Sequence, residues 1–277
     1  MKKVFILLAV LIGFLLNTSC KKEINITLKS SAVRLVVDGL ITDEGKSHIV
    51  KITQSSNYFN NDPEPEVSGA IVSISDGNMI TSLTETEPGV YETPSDFKGE
   101  IGKTYSLDIK YNKEEYSGSS LIKPVMTVDS IYFQKIQNEN PNDPQRYRVL
   151  INAQELPEQG DCYAFYYYKN GVFMSDTLNR ANIVNDDFSN GIYLIGFRAL
   201  NVTASPGDTI TLEIRSITRQ YFDYLKLIMA QTRTPNTPFT GPPANVEGNM
   251  KDITDKSKQV MGYFTASAVY RKTAIIM

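Results

Sequence analysis

The sequence predicts a mainly β protein made of two β-rich regions and one packed helix. It contains 16 tyrosines and 12 phenylalanines among many Val, Ile and Thr residues, and these residue types are enriched in strands. Short runs of them alternate with clusters of Gly, Pro, Asn and Asp, as strands alternate with turns. One clear helical pattern is present, near residues 219–232, where apolar residues recur at three- to four-residue spacing.

The N-terminus predicts secretion followed by lipid anchoring. Two lysines precede an apolar run from Val4 to Leu16, which has the pattern of a signal peptide and is shorter than the ~20 apolar residues of a membrane span. Cys20 then follows in a sequence similar to the lipobox of bacterial lipoproteins, with Asn17 where a leucine is usual. We expect residues 1–19 to be removed and acyl chains on Cys20 to hold the protein in the membrane. The alternative is an ordinary secreted protein with a free cysteine.

Charge and cysteine content exclude two further classes. Without residues 1–19, 26 basic residues stand against 31 acidic ones, and no long basic run remains, so nucleic acid is not an expected partner. Cys162 is then the single cysteine, which rules out a disulfide within the chain. Its strand-like surroundings favour a small buried hydrophobic residue over a reactive thiol.

Residues 33–123 predict a β-sandwich, preceded by a tether over residues 20–32, and the segment Gly69–Leu107 within it resembles an immunoglobulin-like or carboxypeptidase-regulatory-like module. Short strands separated by turn residues, within some ninety residues, are typical of such a sandwich. The run Tyr105–Tyr111 has the clearest period of two, which places Tyr105, Leu107, Ile109 and Tyr111 on one face. The other predicted elements are a strand over Val33–Val37, a turn at Asp38-Gly39, strands over His48–Ile52 and Ala70–Ile74, and a hairpin turn at Asp76-Gly77-Asn78.

Residues 124–277 predict a second β-rich domain. Strands are expected at about 146–155, 161–169, 191–200 and 208–217, followed by a helix capped by Thr218 and a last strand region from Val260. The run from Tyr163 to Tyr168 places Tyr163, Phe165 and Tyr167 on one face, which must be core. The opposite face is either ordinary cross-strand pairing or an aromatic platform for a sugar or a partner protein.

Several segments follow each other in an order that resembles one lipoprotein family. These are Val36–Thr42, Val67–Val72, Gly89-Val90-Tyr91, Gly102–Tyr105 and the pattern Pro243-Ala244-Asn245, Gly248-Asn249, Gly262-Tyr263-Phe264. The chain resembles the DUF4249 family of Bacteroidetes outer-membrane lipoproteins. The resemblance implies an outer-membrane location, at its periplasmic or its external face, and association with a TonB-dependent transporter. Lys21-Lys22-Glu23 is similar in part to the charged signal that directs such lipoproteins to the cell surface.

Residues with catalytic or metal-binding chemistry are sparse. His48 is the single histidine and shares its predicted strand face with Val50 and Ile52, so we expect it to be packed. Ser120 and Lys123 match a Ser-x-x-Lys pattern but lack the helix that would join them. Clusters of Asn and Asp at 60–62, 138–143 and 185–187 could offer oxygen ligands to calcium, yet they are also what turns require, and we expect solvated turns. No cofactor, metal site or catalytic residue is therefore predicted.

The sequence favours a non-enzymatic binding or accessory subunit for an unknown small ligand or glycan. The resemblance implies that it takes part in nutrient capture beside a TonB-dependent transporter. The alternative is a surface adhesin or structural lipoprotein that binds host or matrix components, and a surface hydrolase is the least supported class. Loops on a rigid sandwich are where binding sites usually occur. The candidate binding residues are Tyr58, Phe59 and Asn61 in one loop and Phe239, Asn245 and Asn249 in another. The second loop could instead cover a sheet edge.

Overall fold

The computed structural model describes residues 33–56, 63–233 and 246–277. The predicted lipidation site and tether therefore lie outside the described residues. Residues 33–277 belong to one compact unit. Its first eight strands are β1 (Leu35–Thr42), β2 (Ile49–Gln54), β3 (Ile71–Ser75), β4 (Ile80–Ser82), β5 (Thr84–Glu87), β6 (Val90–Glu92), β7 (Thr104–Tyr111) and β8 (Glu114–Leu121).

The remainder of the chain continues the β architecture and adds a helix. Its elements are β9 (Val128–Ile136), β10 (Arg146–Gln154), β11 (Cys162–Lys169), β12 (Val172–Phe173), a 3-10 turn (Leu178–Arg180), β13 (Asn182–Asn185), β14 (Tyr193–Thr203), β15 (Thr209–Ile217), α1 (Arg219–Arg233), β16 (Lys251–Asp252), β17 (Met261–Ser267) and β18 (Val269–Ile275). The predicted mainly β fold with one packed helix is confirmed for the described residues. Among them, no helix is both long and apolar enough to span a membrane.

The first sandwich is formed by two sheets with the strand orders β17-β1-β2-β6-β5 and β16-β8-β7-β3-β4. Their inner faces share one apolar core. Tyr105, Leu107 and Ile109 on β7 are buried in that core, as their period of two predicts. The predicted hairpin is also present between β3 and β4, where Asp76 Oδ1 accepts the backbone N–H groups of Asn78 and Met79.

The predicted turn at Asp38-Gly39 is wrong, because β1 runs through both residues without a break. Gly39 is a packing position instead of a turn position. A Cβ atom at residue 39 would lie 3.1 Å from Phe264 Cδ2 and 3.4 Å from Val50 Cγ2. Glycine in a strand can mark a close approach of this kind as well as a turn, and the sequence alone does not separate the two.

The chain returns to the first sandwich near its C-terminal end. β17 pairs in parallel with β1 along its whole length, with Gly39 opposite Phe264, and the short β16 pairs with β8. Strands from the segment 124–277 thus complete both sheets of the sandwich predicted for 33–123. The predicted domain boundaries remain a prediction, although β16 and β17 lie in the second predicted domain and pair with strands of the first.

The second sandwich consists of the sheet β14-β10-β9 and the sheet β12-β11-β15-β18, with β13 added along β11. Tyr163, Phe165 and Tyr167 are buried in its core, as predicted. On the outer side of the β11–β15 sheet, Phe222 and Leu225 of α1 pack against Cys162, Ala164 and Ile217. The predicted N-cap is confirmed, since Thr218 Oγ1 accepts the backbone N–H of Tyr221 at 3.2 Å.

Candidate functional site

A cavity of the described structure lies beside the segment that returns to the first sandwich. This C-terminal groove is lined by Arg34 and by residues within 246–261, and its volume is about 710 Å³. That volume falls within the range of about 300–1,000 Å³ that is typical of small-molecule sites. Apolar side chains such as Ile253, Val260 and Met261 line it together with charged ones. Its size and mixed lining suit a small ligand with polar and apolar parts.

Positive charge predominates in the C-terminal groove although the whole chain carries a net charge of −3. Four basic residues, Arg34, Lys251, Lys256 and Lys258, line it together with the acidic Glu247 and Asp252. Lys258 is paired with Glu114 on β8. Within the described ranges, no salt bridge joins Arg34, Lys251 or Lys256 to a carboxylate.

The floor of the groove depends on two glycines that permit backbone segments to approach closely. A Cβ atom at Gly248 would lie 1.6 Å from the Gly262 carbonyl oxygen, which leaves no room for any side chain. Gly262 has a φ of +87°, and a Cβ there would lie 1.9 Å from the Val37 carbonyl oxygen. Three backbone segments therefore lie in close contact at this point, namely the stretch around Gly248, β17 and its sheet neighbour β1, and the first two carry the glycines of the family-like pattern.

Asn249 holds the same segment in place with its side chain. Its Nδ2 donates to the carbonyl oxygens of Ser119 at 2.9 Å and Phe264 at 2.7 Å, and its Oδ1 accepts the Phe264 N–H at 2.9 Å. Asn249 is buried, so its amide supports the wall of the groove and is not presented to a ligand. The five other predicted binding residues, Tyr58, Phe59, Asn61, Phe239 and Asn245, lie outside the described residues.

The residues that could have formed a hydrolytic site are separately engaged in the scaffold. His48 is buried, its Nε2 lies 3.1 Å from the Glu44 carbonyl oxygen, and burial lowers its pKa. Ser120 Oγ accepts the Ala266 N–H at 3.0 Å, whereas Lys123 Nζ lies 2.6 Å from Asp161 Oδ1. The expectation of a packed histidine is confirmed.

Cys162 behaves as the sequence predicts. It is buried against the helix, and this burial raises the pKa of its thiol to about 11. A thiol with a raised pKa in apolar surroundings is typical of a structural cysteine.

The second aromatic face of β11 is largely covered. The Arg215 guanidinium lies 4.4 Å from the centre of the Tyr166 ring, and the Arg271 guanidinium lies 5.9 Å from that of Tyr168. Both arginines also pair with Glu213, which is completely buried. This arrangement fits cross-strand pairing between β11, β15 and β18 and leaves little of an open platform.

One of the acidic turns differs from its prediction. The half-buried Asn138 and its mostly exposed neighbours form an internally hydrogen-bonded turn between β9 and β10, as expected. Asp186 is not in a solvated turn, because it is 1% exposed and its Oδ2 accepts the N–H groups of Gly160 and Asp161. The long-range contacts that bury Asp186 have no signature in the local sequence.

The fold and the groove define a β-sandwich protein with a cavity beside a returning C-terminal strand. A family model described as "Domain of unknown function (DUF4249)" matches residues 21–273. The chain belongs to the DUF4249 family, as its sequence pattern indicates. No curated protein matches the chain.

Proposed function

We propose that this protein is a lipid-anchored, non-enzymatic binding subunit that captures a small anionic ligand in the C-terminal groove and passes it to a TonB-dependent transporter. The observation that carries the proposal is the groove itself. It combines a volume of about 710 Å³ with three basic side chains that have no carboxylate partner among the described residues. An anionic ligand with an apolar portion complements both the charge and the lining.

Rigid backbone around the groove supports a binding role. Gly248, Asn249 and Gly262 hold the lining segment against β1 and β8, so the groove exists before a ligand arrives. A preformed site loses less conformational entropy on binding than one that must be ordered. Acyl chains on Cys20 would confine the protein to the membrane plane of its transporter, which raises their effective concentration without a strong interface.

A separate surface supports a protein partner. Tyr132 on β9 and Tyr193 and Ile195 on the edge strand β14 are exposed large hydrophobic residues, and Ile195 is 79% exposed. Asp129 of β9 raises the pKa of the Tyr193 hydroxyl, so the two side chains lie close together on this face. Exposed apolar residues on a sheet edge are typical of interaction surfaces. The partner could be the transporter or, in the adhesin alternative, a host or matrix protein.

The groove proposal can be tested by native mass spectrometry of the full chain purified in mild detergent from its own cells. We expect a co-purifying anionic small molecule in the wild type and its loss in the double variant Lys251→Gln/Lys256→Gln. Lys135→Gln, an exposed charge on β9 far from the groove in the sheet order, is the matched control and should retain the molecule. Equal occupancy in the double variant and the control would refute ligand binding through these lysines.

A further inference from the structure

Three buried carboxylates meet at one end of the second sandwich. Glu155 directly follows β10, Asp161 directly precedes β11, and Asp186 directly follows β13. Because Cys162 pairs with Asn185, the strand register itself brings Asp161 and Asp186 together. One carboxylate oxygen from each of the three residues lies within 4.8 Å of the other two, and all three side chains are at most 2% exposed.

Hydrogen bonds orient the three carboxylates but leave two of their oxygens without a partner. Glu155 accepts the Tyr163 hydroxyl at 2.8 Å and the Gly191 N–H at 2.9 Å. Asp186 Oδ2 accepts two backbone N–H groups, and Asp161 Oδ1 pairs with Lys123. The second oxygens, Asp161 Oδ2 and Asp186 Oδ1, are buried and have no hydrogen-bond partner. A buried carboxylate oxygen without a partner is strongly unfavourable, and a bound cation would satisfy both of these atoms.

Charge balance points to a cation. Three carboxylates face one ammonium group, that of Lys123, which also donates to the Gly160 carbonyl oxygen at 2.8 Å. Arg219 pairs with Asp187, the neighbour of Asp186, with 2.8 Å between Nη1 and Oδ1. Two formal negative charges therefore remain in a buried place, and a divalent ion would neutralise them.

We propose that Glu155, Asp161 and Asp186 bind a calcium ion. The set is made of hard oxygen donors, and these favour Ca²⁺ or Mg²⁺ over zinc or copper. Ca²⁺ binds oxygens at about 2.3–2.6 Å and tolerates irregular geometry, so it can bridge oxygens up to roughly 4.8 Å apart. Mg²⁺ requires nearly ideal octahedral geometry at about 2.0–2.1 Å, which three separate loop ends meet less readily. The ion would join the ends of β10 and β13 to the start of β11.

The ion would also order a loop that carries exposed apolar residues. Asp186 begins the segment that leads to β14, and Phe188 within it is 100% exposed. Glu155 holds the far end of that segment through the Gly191 N–H. Calcium would therefore fix the loop at both ends, next to the edge strand proposed above as a partner surface.

The test uses the full chain in detergent, stripped of metal with a chelator, and measures Ca²⁺ and Mg²⁺ binding by titration calorimetry together with the melting temperature. We expect about one Ca²⁺ per chain, a higher melting temperature in Ca²⁺, and at least tenfold weaker binding of Mg²⁺. Asp186→Asn and Asp161→Asn should each weaken Ca²⁺ binding at least tenfold. Asp187→Asn, the exposed neighbour that pairs with Arg219, is the control and should bind as the wild type does.

Several results would overturn the site. These are no saturable Ca²⁺ binding by the wild type, unchanged binding in both Asn variants, or a preference for Mg²⁺. Asn variants that are more stable than the wild type without binding any ion would show that the carboxyl groups share protons instead. If the variants fail to fold, hydrogen exchange of the wild type decides. Ca²⁺ must then slow exchange in peptides covering 155–163 and 183–191, and no change there contradicts the proposal. Failure of the calcium proposal would not bear on the proposal of ligand binding in the C-terminal groove, which involves other residues.

Discussion

Asn249 and Phe264 are joined by two hydrogen bonds between one side-chain amide and one backbone residue. The Phe264 N–H donates to Asn249 Oδ1 at 2.9 Å, and Asn249 Nδ2 donates to the Phe264 carbonyl oxygen at 2.7 Å. The amide thus takes the place of a neighbouring strand for this residue of β17, while Phe264 itself fills the first core. The most recognisable residues of the family pattern therefore build the scaffold of the groove.

Replacing Asn249 should destabilise the protein. Asn249→Ala removes three hydrogen bonds, two of them buried, and leaves the Phe264 N–H without its partner, so we expect a loss of about 2–4 kcal/mol in the free energy of unfolding. Urea denaturation measures it. Asn142→Ala in the exposed turn between β9 and β10 should cost far less, and a similar cost for both variants would contradict the assigned role.

The close backbone packing at Gly248 predicts a second effect. Gly248→Ala places a Cβ atom on the Gly262 carbonyl oxygen, so β17 or the lining segment must move and the melting temperature should fall strongly. Gly45→Ala is the matched control, because a Cβ at that position meets no atom within 4 Å. Calorimetric melting of both variants measures the difference. A Gly248→Ala protein as stable as Gly45→Ala would show that Gly248 does not pack closely against the Gly262 carbonyl group.

The pairing of Glu44 with Arg271 predicts a pH dependence of stability. Burial opposes ionisation of Glu44, but hydrogen bonds from Arg271 and Lys46 outweigh it and lower its pKa from 4.5 to about 2. Since the folded-state pKa lies below the unfolded-state value, this contribution is complete above about pH 4.5 and is lost as the pH falls towards 2.

Glu44→Gln should therefore be less stable than the wild type at pH 7, by about 1 kcal/mol for a partly exposed pair, and equally stable near pH 2. Urea titrations at pH 7, 4 and 2.5 measure the difference. Glu115→Gln, which removes an exposed pair with Lys110, should change stability little at any of these pH values. A constant difference for Glu44→Gln across the range would show that the loss is not electrostatic.

Burial of Cys162 predicts that its thiol is protected in the folded protein. In a Cys20→Ala background, a maleimide reagent should label Cys162 at least a hundredfold more slowly in buffer than in denaturing urea, because the side chain is only 1% exposed. Mass spectrometry follows the labelling. Rapid labelling in buffer would mean that α1 does not cover β11 as described.

The sequence predicts correctly those structural features that depend on interactions between neighbouring residues. The period of two in Tyr105–Tyr111, the Asp76 hairpin and the Thr218 cap each rest on neighbouring residues, and the structure confirms them. The close approach of Phe264 to Gly39 and the contacts of Gly160 and Asp161 with Asp186 join residues more than twenty positions apart. Arg34, Lys251 and Lys256 likewise line one groove because β17 pairs with β1 and β16 pairs with β8. No local spacing in the sequence predicts these pairings.

The central claim, a binding subunit that works with an outer-membrane transporter, is tested most directly by capture from detergent-solubilised membranes with the tagged full chain. The account predicts recovery of a TonB-dependent transporter, and its loss in the double variant Tyr193→Ser/Ile195→Ser. Ile80→Ser, an exposed apolar residue on β4, is the control and should retain the transporter. Recovery of no transporter above background would contradict the claim, and recovery of host or matrix protein in its place would establish the adhesin alternative.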